Sequence, residues 1–313
     1  MPTPADIPDA MPGADRRAMR PVNGDAFRGM CAYRFWHNAE PRENPAFASG
    51  EAVFCKIDEV WRLFRALRRT RRRVVVVTHE GDKPVTPALW GERPPHVEAW
   101  FGCNMFAEHE DAHPVPLGLG NSDGHVTLSW GEICAAPRIE RAGLLYANFS
   151  AASNPGVRRP LLDWLAGPER AWVTREAHAV VDGRASYLHN LRSHHFVYCP
   201  PGNGEDTHRM WEALYCGAIP VARESPTMRA FRALPIHFVP DLAAITEDGL
   251  RATLAQWSAR PHSLEMLDAG FWERRLEAAV ARAREKGPLT PLGWLAGWGR
   301  EVLRVAAKTL RGK

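Results

Sequence analysis

Apolar positions along the chain follow two patterns. Over 57–69 (IDEVWRLFRALRR) they recur at helical spacing, at Ile57, Val60, Trp61, Phe64 and Leu67, which predicts an amphipathic helix. VVVVTHEGD follows at 74–82. Successive valines suit a strand buried on both faces, as in parallel sheets. The run ends in Thr78, His79, Glu80 and Asp82, polar residues that a parallel sheet would hold at its carboxyl edge, where open α/β sheets bind ligands. Short strands are expected over 97–103 and 114–117. Pro114, Pro116 and Gly118 mark turns, and 120–140 reads as a polar, irregular linker.

A second series begins at Gly143. GLLYANFS at 143–150 predicts a strand, and Asn154 and Pro155 cap and open a helix through Leu165. Strands are expected at Trp172–Val173, 195–200 and 218–222, and helices over 184–192, Asp206–Cys216, 226–233, 246–258 and 264–285. This alternation predicts parallel sheets built of βαβ units. The expected fold is α/β, with two Rossmann-like, doubly wound parallel-sheet domains facing a central cleft. A disordered lead-in is expected over 1–25, the first domain over 26–140 and the second over 141–289. Residues 290–313 are expected to form a basic amphipathic helix, holding Trp294, Leu295 and Trp298, with Arg300, Arg304 and Lys308 supplying positive charge. That helix suits either a membrane interface or packing on the first domain.

Composition narrows the function classes. The chain has 313 residues, 45% apolar and 24% charged, enough for packed cores and too apolar for general disorder. A net charge of +4 does not imply a nucleic-acid partner. Arg65, Arg68, Arg69, Arg71, Arg72 and Arg73 cluster before the valine strand; a solvated helix end explains them, with anion binding as the alternative. Six cysteines include no C-x-x-C pair, so they read as reduced thiols, with Cys199 and Cys216 as small core residues. No signal segment and no apolar run of roughly eighteen residues is visible. A cytoplasmic location is expected, with a peripheral seat on the inner membrane face as the variant.

The richest chemistry lies at 196–221, FVYCPPGNGEDTHRMWEALYCGAIPV. A strand runs into Gly202, Asn203 and Gly204, then into a helix with Asp206 or Thr207 at its start. Glycines let backbone approach a ligand, and a helix start offers unpaired N–H groups to an anion. Arg209 in the first turn opposes the helix dipole, which calls for an anionic partner: Asp206, Glu205 or a bound diphosphate. Glu212, one turn on, suits a ribose diol. Glu224 and Ser225 follow the next strand, and Ser150 follows the strand at 143–150.

This segment resembles the donor-binding signature of the exostosin-like glycosyltransferases, which have the GT-B fold. The matching pieces are Phe196–Pro201, Gly202–Gly204, Arg209, Glu212 and Gly217–Val221, with THEGD at 78–82 and NFSAASN at 148–154 followed by Arg158 further upstream. The resemblance is strong over 185–240 and looser over 70–180, and Asn-Phe-Ser stands at 148–150 where many members carry a basic FRG. It implies an inverting transferase acting on a nucleotide-sugar, with the nucleotide on the second domain and a glycan or lipid-linked acceptor on the first. Such an enzyme would serve surface polysaccharide synthesis.

Inverting transfer needs a base, a stabilised leaving group and two substrates held in line. Arg209, Arg158, Thr207 and the N–H groups of Gly202–Gly204 are assigned to the leaving diphosphate. Asp82 is the first candidate base and Glu80 the second, with His79 and Asn104 towards the acceptor. No Asp-x-Asp pair occurs, so metal independence is expected, with no cofactor beyond the nucleotide-sugar co-substrate. A fucosyltransferase-like enzyme using a GDP-sugar and a non-catalytic nucleotide- or sugar-binding module are the alternatives. A dinucleotide oxidoreductase is disfavoured by the lack of a G-x-G-x-x-G after any strand.

Overall fold

The computed structural model describes residues 19–35, 48–122, 127–137, 139–176, 183–257 and 262–295. The chain divides into two compact units, each discontinuous. Phe27–Val115 is joined by the chain from Glu273 onward, and Pro116–Trp272 by the chain up to Ala26.

In the first unit, β1 (Tyr33–Phe35), β2 (Glu51–Lys56), β3 (Val74–His79), β4 (Val97–Gly102) and β5 (Ala112–Pro114) pair in parallel, in that spatial order. The four valines of β3 are fully buried. Val74 and Val76 pack with Leu63 and Phe64 of α2 (Val60–Leu67) and with Trp100 of β4, while Val75 and Val77 alternate to the other face. The predicted helix over 57–69 is therefore present, opened by a 3-10 turn at Ile57–Glu59. Trp61 is not on its buried stripe. It is 45% exposed, because one residue on from Val60 turns about 100° off the buried face.

In the second unit, β6 (Gly143–Ala147), β7 (Val173–Arg175), β8 (His194–Cys199), β9 (Ile219–Arg223) and β10 (His237–Val239) form a parallel sheet in the order β10-β9-β8-β6-β7. Leu145, Phe196, Tyr198, Ile219 and Val221 make its core with Leu161 and Leu165 of α5 (Pro155–Leu165). The chain moves outward from β6 to β7, then returns to the other side of β6 for β8, β9 and β10. The order thus reverses between β6 and β8, and a reversal of this kind opens a crevice at the carboxyl ends of the two strands. The first sheet has no such reversal among the described strands.

Several boundaries differ from those expected. The segment 116–140 belongs to the second unit and is not an irregular linker. It contains α4 (Trp130–Ala135), whose polar start is a capping box between Ser129 and Glu132. Three hydrogen bonds tie it to the chain around α7 (His208–Tyr215): Leu117 N–H to Asp206 (2.7 Å), His208 Nδ1 with the Gly118 carbonyl (2.8 Å) and Leu128 N–H to Glu212 (2.8 Å). Of the expected lead-in, 1–18 lies outside the described residues. Residues 19–25 are ordered by packing: Val22 is fully buried and donates its N–H to the Tyr215 hydroxyl at 2.8 Å. The helix expected at 226–233 is one 3-10 turn, Met228–Phe231. That expected at 264–285 is a 3-10 turn, Glu265–Leu267, and then α9 (Ala269–Lys286), along which the chain passes from the second unit back to the first. Residues 296–313 of the expected terminal helix lie outside the described residues. Just before them, Trp294 Nε1 donates to the Arg68 carbonyl at 3.0 Å. The remaining described helices are α1 (Gly24–Met30), α3 (Pro87–Gly91) and α8 (Glu247–Trp257), and among the described residues no helix is long and apolar enough to cross a membrane.

Candidate functional site

The crevice between β6 and β8 is built from two loops, 148–154 after β6 and 200–207 after β8. Arg158, in the first turns of α5, joins them. Its Nε donates to the Pro201 carbonyl (2.9 Å), its Nη1 to the Ser150 carbonyl (2.9 Å) and Ser153 Oγ (2.6 Å), and its Nη2 to the Pro200 carbonyl (3.3 Å). All four acceptors are neutral. The side chain is buried, and burial first, then the charge of Arg209, pulls its pKa down to about 10.

Asn154 makes a second tie. It stands at the N-cap position of α5, as expected, but in the left-handed conformation (φ 58°), and its side chain does not cap. The Nδ2 group donates instead to the Gly202 carbonyl at 2.9 Å. Gly202 has its own reason to lack a side chain, since a β-carbon there would lie 3.1 Å from Arg158 Nη2. Its N–H bonds to the Gly204 carbonyl at 2.9 Å, so this N–H is engaged within the loop. Asn203 at the loop tip is exposed.

Arg209, in the first turn of α7, is the unusual group. It is 9% exposed, its Nε has no hydrogen-bond partner, and no ion pair reaches it among the described residues. Neither candidate carboxylate serves it. Glu205 pairs with Arg223, and the Asp206 oxygens accept from Leu117 N–H and from Trp211 Nε1 (2.6 Å). Burial pushes the Asp206 carboxyl up to about 7, against the pull of its N–H donors. A buried, unpaired guanidinium is costly. Here it stands beside a second guanidinium, at the start of a helix whose first N–H groups have no partner within the helix. This is the kind of arrangement that can hold an anion of more than one charge.

Glu212 is buried one turn on, with Oε1 accepting from Leu128 N–H (2.8 Å) and Oε2 from the Tyr187 hydroxyl (2.6 Å). Both oxygens are thus anchored within the unit. Thr207 precedes α7 with extended backbone and no side-chain cap bond. Ser150 Oγ accepts from Ala152 N–H at 3.0 Å. Beyond β9, Ser225 is buried, while Glu224 is exposed and pairs with Arg229 and Arg232. Cys199, at the end of β8, is a buried thiol pushed up to about 12 by burial, which makes it inert.

Three residues around these strand ends carry no expectation from the sequence. Thr227 is 1% exposed with its hydroxyl unpartnered. Glu176, after β7, accepts from Tyr146, Asn148, Ser186 and Asn190; burial raises its pKa, and these hydrogen bonds outweigh that and lower it. Tyr187, on α6 (Arg184–Ser193), orients Glu212. A polar residue just after a strand was the available signal for Glu176; Thr227, four residues beyond β9, and Tyr187 on its helix gave none.

The remaining candidates lie in the first unit, at the carboxyl ends of β3 and β4. Glu80 (φ 60°) and Asn104 (φ 50°) both adopt the left-handed conformation that non-glycine residues rarely take. The Glu80 carboxylate is held by Arg28 and by Lys56 at 3.6 Å. His79 is buried, with Nδ1 accepting from Glu80 N–H at 2.9 Å. Asn104 is buried and its carbonyl accepts from Val85 N–H at 2.9 Å. Asp82 is exposed. A metal could be offered ligands by His109, Glu110 and Asp111, but these are successive residues of one turn, with Asp111 N–H on His109 Nδ1 at 3.1 Å. A search of protein-family models gives no match for this chain, and no curated protein matches it.

Proposed function

We propose that this chain is an inverting, metal-independent glycosyltransferase of the exostosin-like, GT-B class, which moves a sugar from a nucleotide-sugar to a hydroxyl of a glycan or glycolipid. One observation carries the reading: Arg158 and Arg209 are buried together at the β6/β8 crevice, and no carboxylate forms an ion pair with either among the described residues. A diphosphate supplies the missing charge. During transfer the acceptor oxygen attacks the anomeric carbon from the face opposite the leaving group. Its proton passes to a carboxylate, and the bond from the anomeric carbon to the phosphate oxygen breaks with its electron pair going to the diphosphate. Arg158, Arg209 and the opening N–H groups of α7 stabilise that charge as it develops.

Asp82 is proposed as the base. Glu80 is the weaker choice because Arg28 and Lys56 already engage its carboxylate. That engagement, with His79 buried as an acceptor, favours a second reading in which the chain binds a nucleotide-sugar without turning it over. Calorimetric titration with UDP, GDP, CMP and their sugars separates the cases. Binding with product formation fits the enzyme, and binding without any product fits the module. No binding of any of them, with the melting point unchanged by each, would refute the donor site itself.

A further inference from the structure

Three large apolar side chains stand exposed among the described residues, Trp61 (45%), Leu292 (80%) and Leu295 (56%), and all three belong to the first unit. Two hydrogen bonds to one loop set the last two beside it: Leu289 N–H donates to the Arg71 carbonyl at 2.7 Å, and the Trp294 side-chain Nε1 to the Arg68 carbonyl at 3.0 Å. Trp61 lies two turns earlier on the helix that runs into that loop, with Arg65 one turn on from it on the same exposed side. Arg65, Arg69, Arg71 and Arg72 are all exposed. Among the described residues Arg65, Arg69 and Arg71 have no carboxylate partner, although ion pairs form readily elsewhere on this surface, as between Arg62 and Glu59 at 2.9 Å.

Solubility alone does not ask for tryptophan and leucines bare beside arginines that lack counter-charges. A bilayer carrying anionic lipid offers both complements at once. Its phosphates meet the guanidinium groups, and its interfacial zone accepts tryptophan and leucine. We infer that this face, made by α2, the loop at 68–72 and Leu292 with Leu295, docks on an anionic membrane surface. The assignment does not use residues 296–313 and stands apart from the donor site.

Co-sedimentation of the full chain with vesicles tests it. Vesicles of phosphatidylcholine with phosphatidylglycerol should bind the protein, and vesicles of phosphatidylcholine alone should not. Binding should weaken as salt is raised several-fold. The triple change Arg65→Glu, Arg69→Glu and Arg71→Glu should lower the partition coefficient at least roughly tenfold. Leu292→Ser with Leu295→Ser should lower it at constant charge. Each variant should melt as the parent does, since every changed side chain is exposed. Equal binding of both kinds of vesicle, binding of neither, or undiminished binding by both variants would overturn the inference. So would a leucine-dependent dimer in sedimentation velocity, or binding of RNA in place of vesicles.

Discussion

Arg158 and Arg209 are buried neighbours with opposite bonding: each of the three guanidinium nitrogens of Arg158 donates to an oxygen, whereas Arg209 Nε donates to none. The two therefore respond differently to removal. Arg209 costs the fold the desolvation of a charge and returns no hydrogen bond to it. Arg209→Met should leave stability unchanged or raise it by about 1 kcal/mol, while nucleotide binding and turnover fall by orders of magnitude. Urea denaturation beside calorimetry reads both. A variant that unfolds more easily yet still binds nucleotide would refute the role.

Arg158→Met should do the reverse on the stability axis. It strands the carbonyls of Ser150, Pro200 and Pro201 and the hydroxyl of Ser153, and frees the loops after β6 and β8 from each other. A loss of about 3 kcal/mol is expected, together with weaker binding. Gly202→Ala should be a milder form of the same defect, because the added carbon crowds Arg158 Nη2. If Arg158→Met melts as the parent does, the clamp is not structural.

What could be read from the residues divides along physical lines. The strands β3, β6 and β8 announced themselves because burial on both faces demands apolar runs such as VVVV at 74–77. The loop-to-helix turn at 202–209 was legible because glycines and a first-turn arginine are each costly without a ligand. The short edge strands β1 and β10 were not, being 3 residues long each and carrying no alternation to speak of. Nor could spacing reveal that Asn154 turns left-handed and reaches Gly202, or that 116–140 folds onto α7, since both depend on partners more than forty residues away in the chain. Glu212 was legible as important. Its anchoring by Leu128 and Tyr187 was not, because a backbone N–H carries no residue signature.

That anchoring gives Glu212 a test of its own. Glu212→Ala leaves a buried N–H and a buried hydroxyl unpaired and should cost about 2–4 kcal/mol. Glu212→Gln can still accept from Leu128 N–H and donate to the Tyr187 hydroxyl, so its stability should lie within about 1 kcal/mol of the parent. If Glu212 also receives ribose hydroxyls, the Gln variant should be stable and yet bind nucleotide at least tenfold more weakly. Parental affinity in Gln, with the Ala variant unstable, would make the residue an anchor only.

On the proposed reading, arginine and a helix start stabilise the leaving charge and no divalent metal is needed. Turnover in excess EDTA should match turnover in its absence. Complete loss on chelation, restored by manganese, would transfer the leaving-group role to a metal and remove it from Arg158 and Arg209.

His113 and His195 are the histidines pushed down furthest, and an acid limit on the fold is expected from them. His113 is pushed down to about 4 by burial, then by Arg275 and Arg282, with Asp111 opposing; its ring lies tilted against Phe101, centroids 4.4 Å apart, and its Nε2 has no partner. His195 is likewise pushed down to about 4, by burial first and then by Arg141, His194 and Arg251. The unfolded chain protonates both near 6.5, so between 6.5 and about 4 it holds more protons than the folded chain. Stability from these groups is therefore present above 6.5 and lost as pH falls towards 4. Asp206 acts with the opposite sign. Its folded pKa of about 7 lies above the ordinary 3.8, so its contribution is present below 3.8 and lost as pH rises through 7. His96, His194 and His237 are also pushed down by burial, so the histidines outnumber Asp206 and leave a net gain in stability as pH rises from 4 to 6.5. His113→Phe keeps the ring on Phe101 and removes one titration. Urea denaturation across that window should show a shallower acid limb for the variant, with about one proton fewer taken up on unfolding. An acid limb as steep as the parent's would mean that His113 is protonated in the folded chain as readily as in the unfolded one.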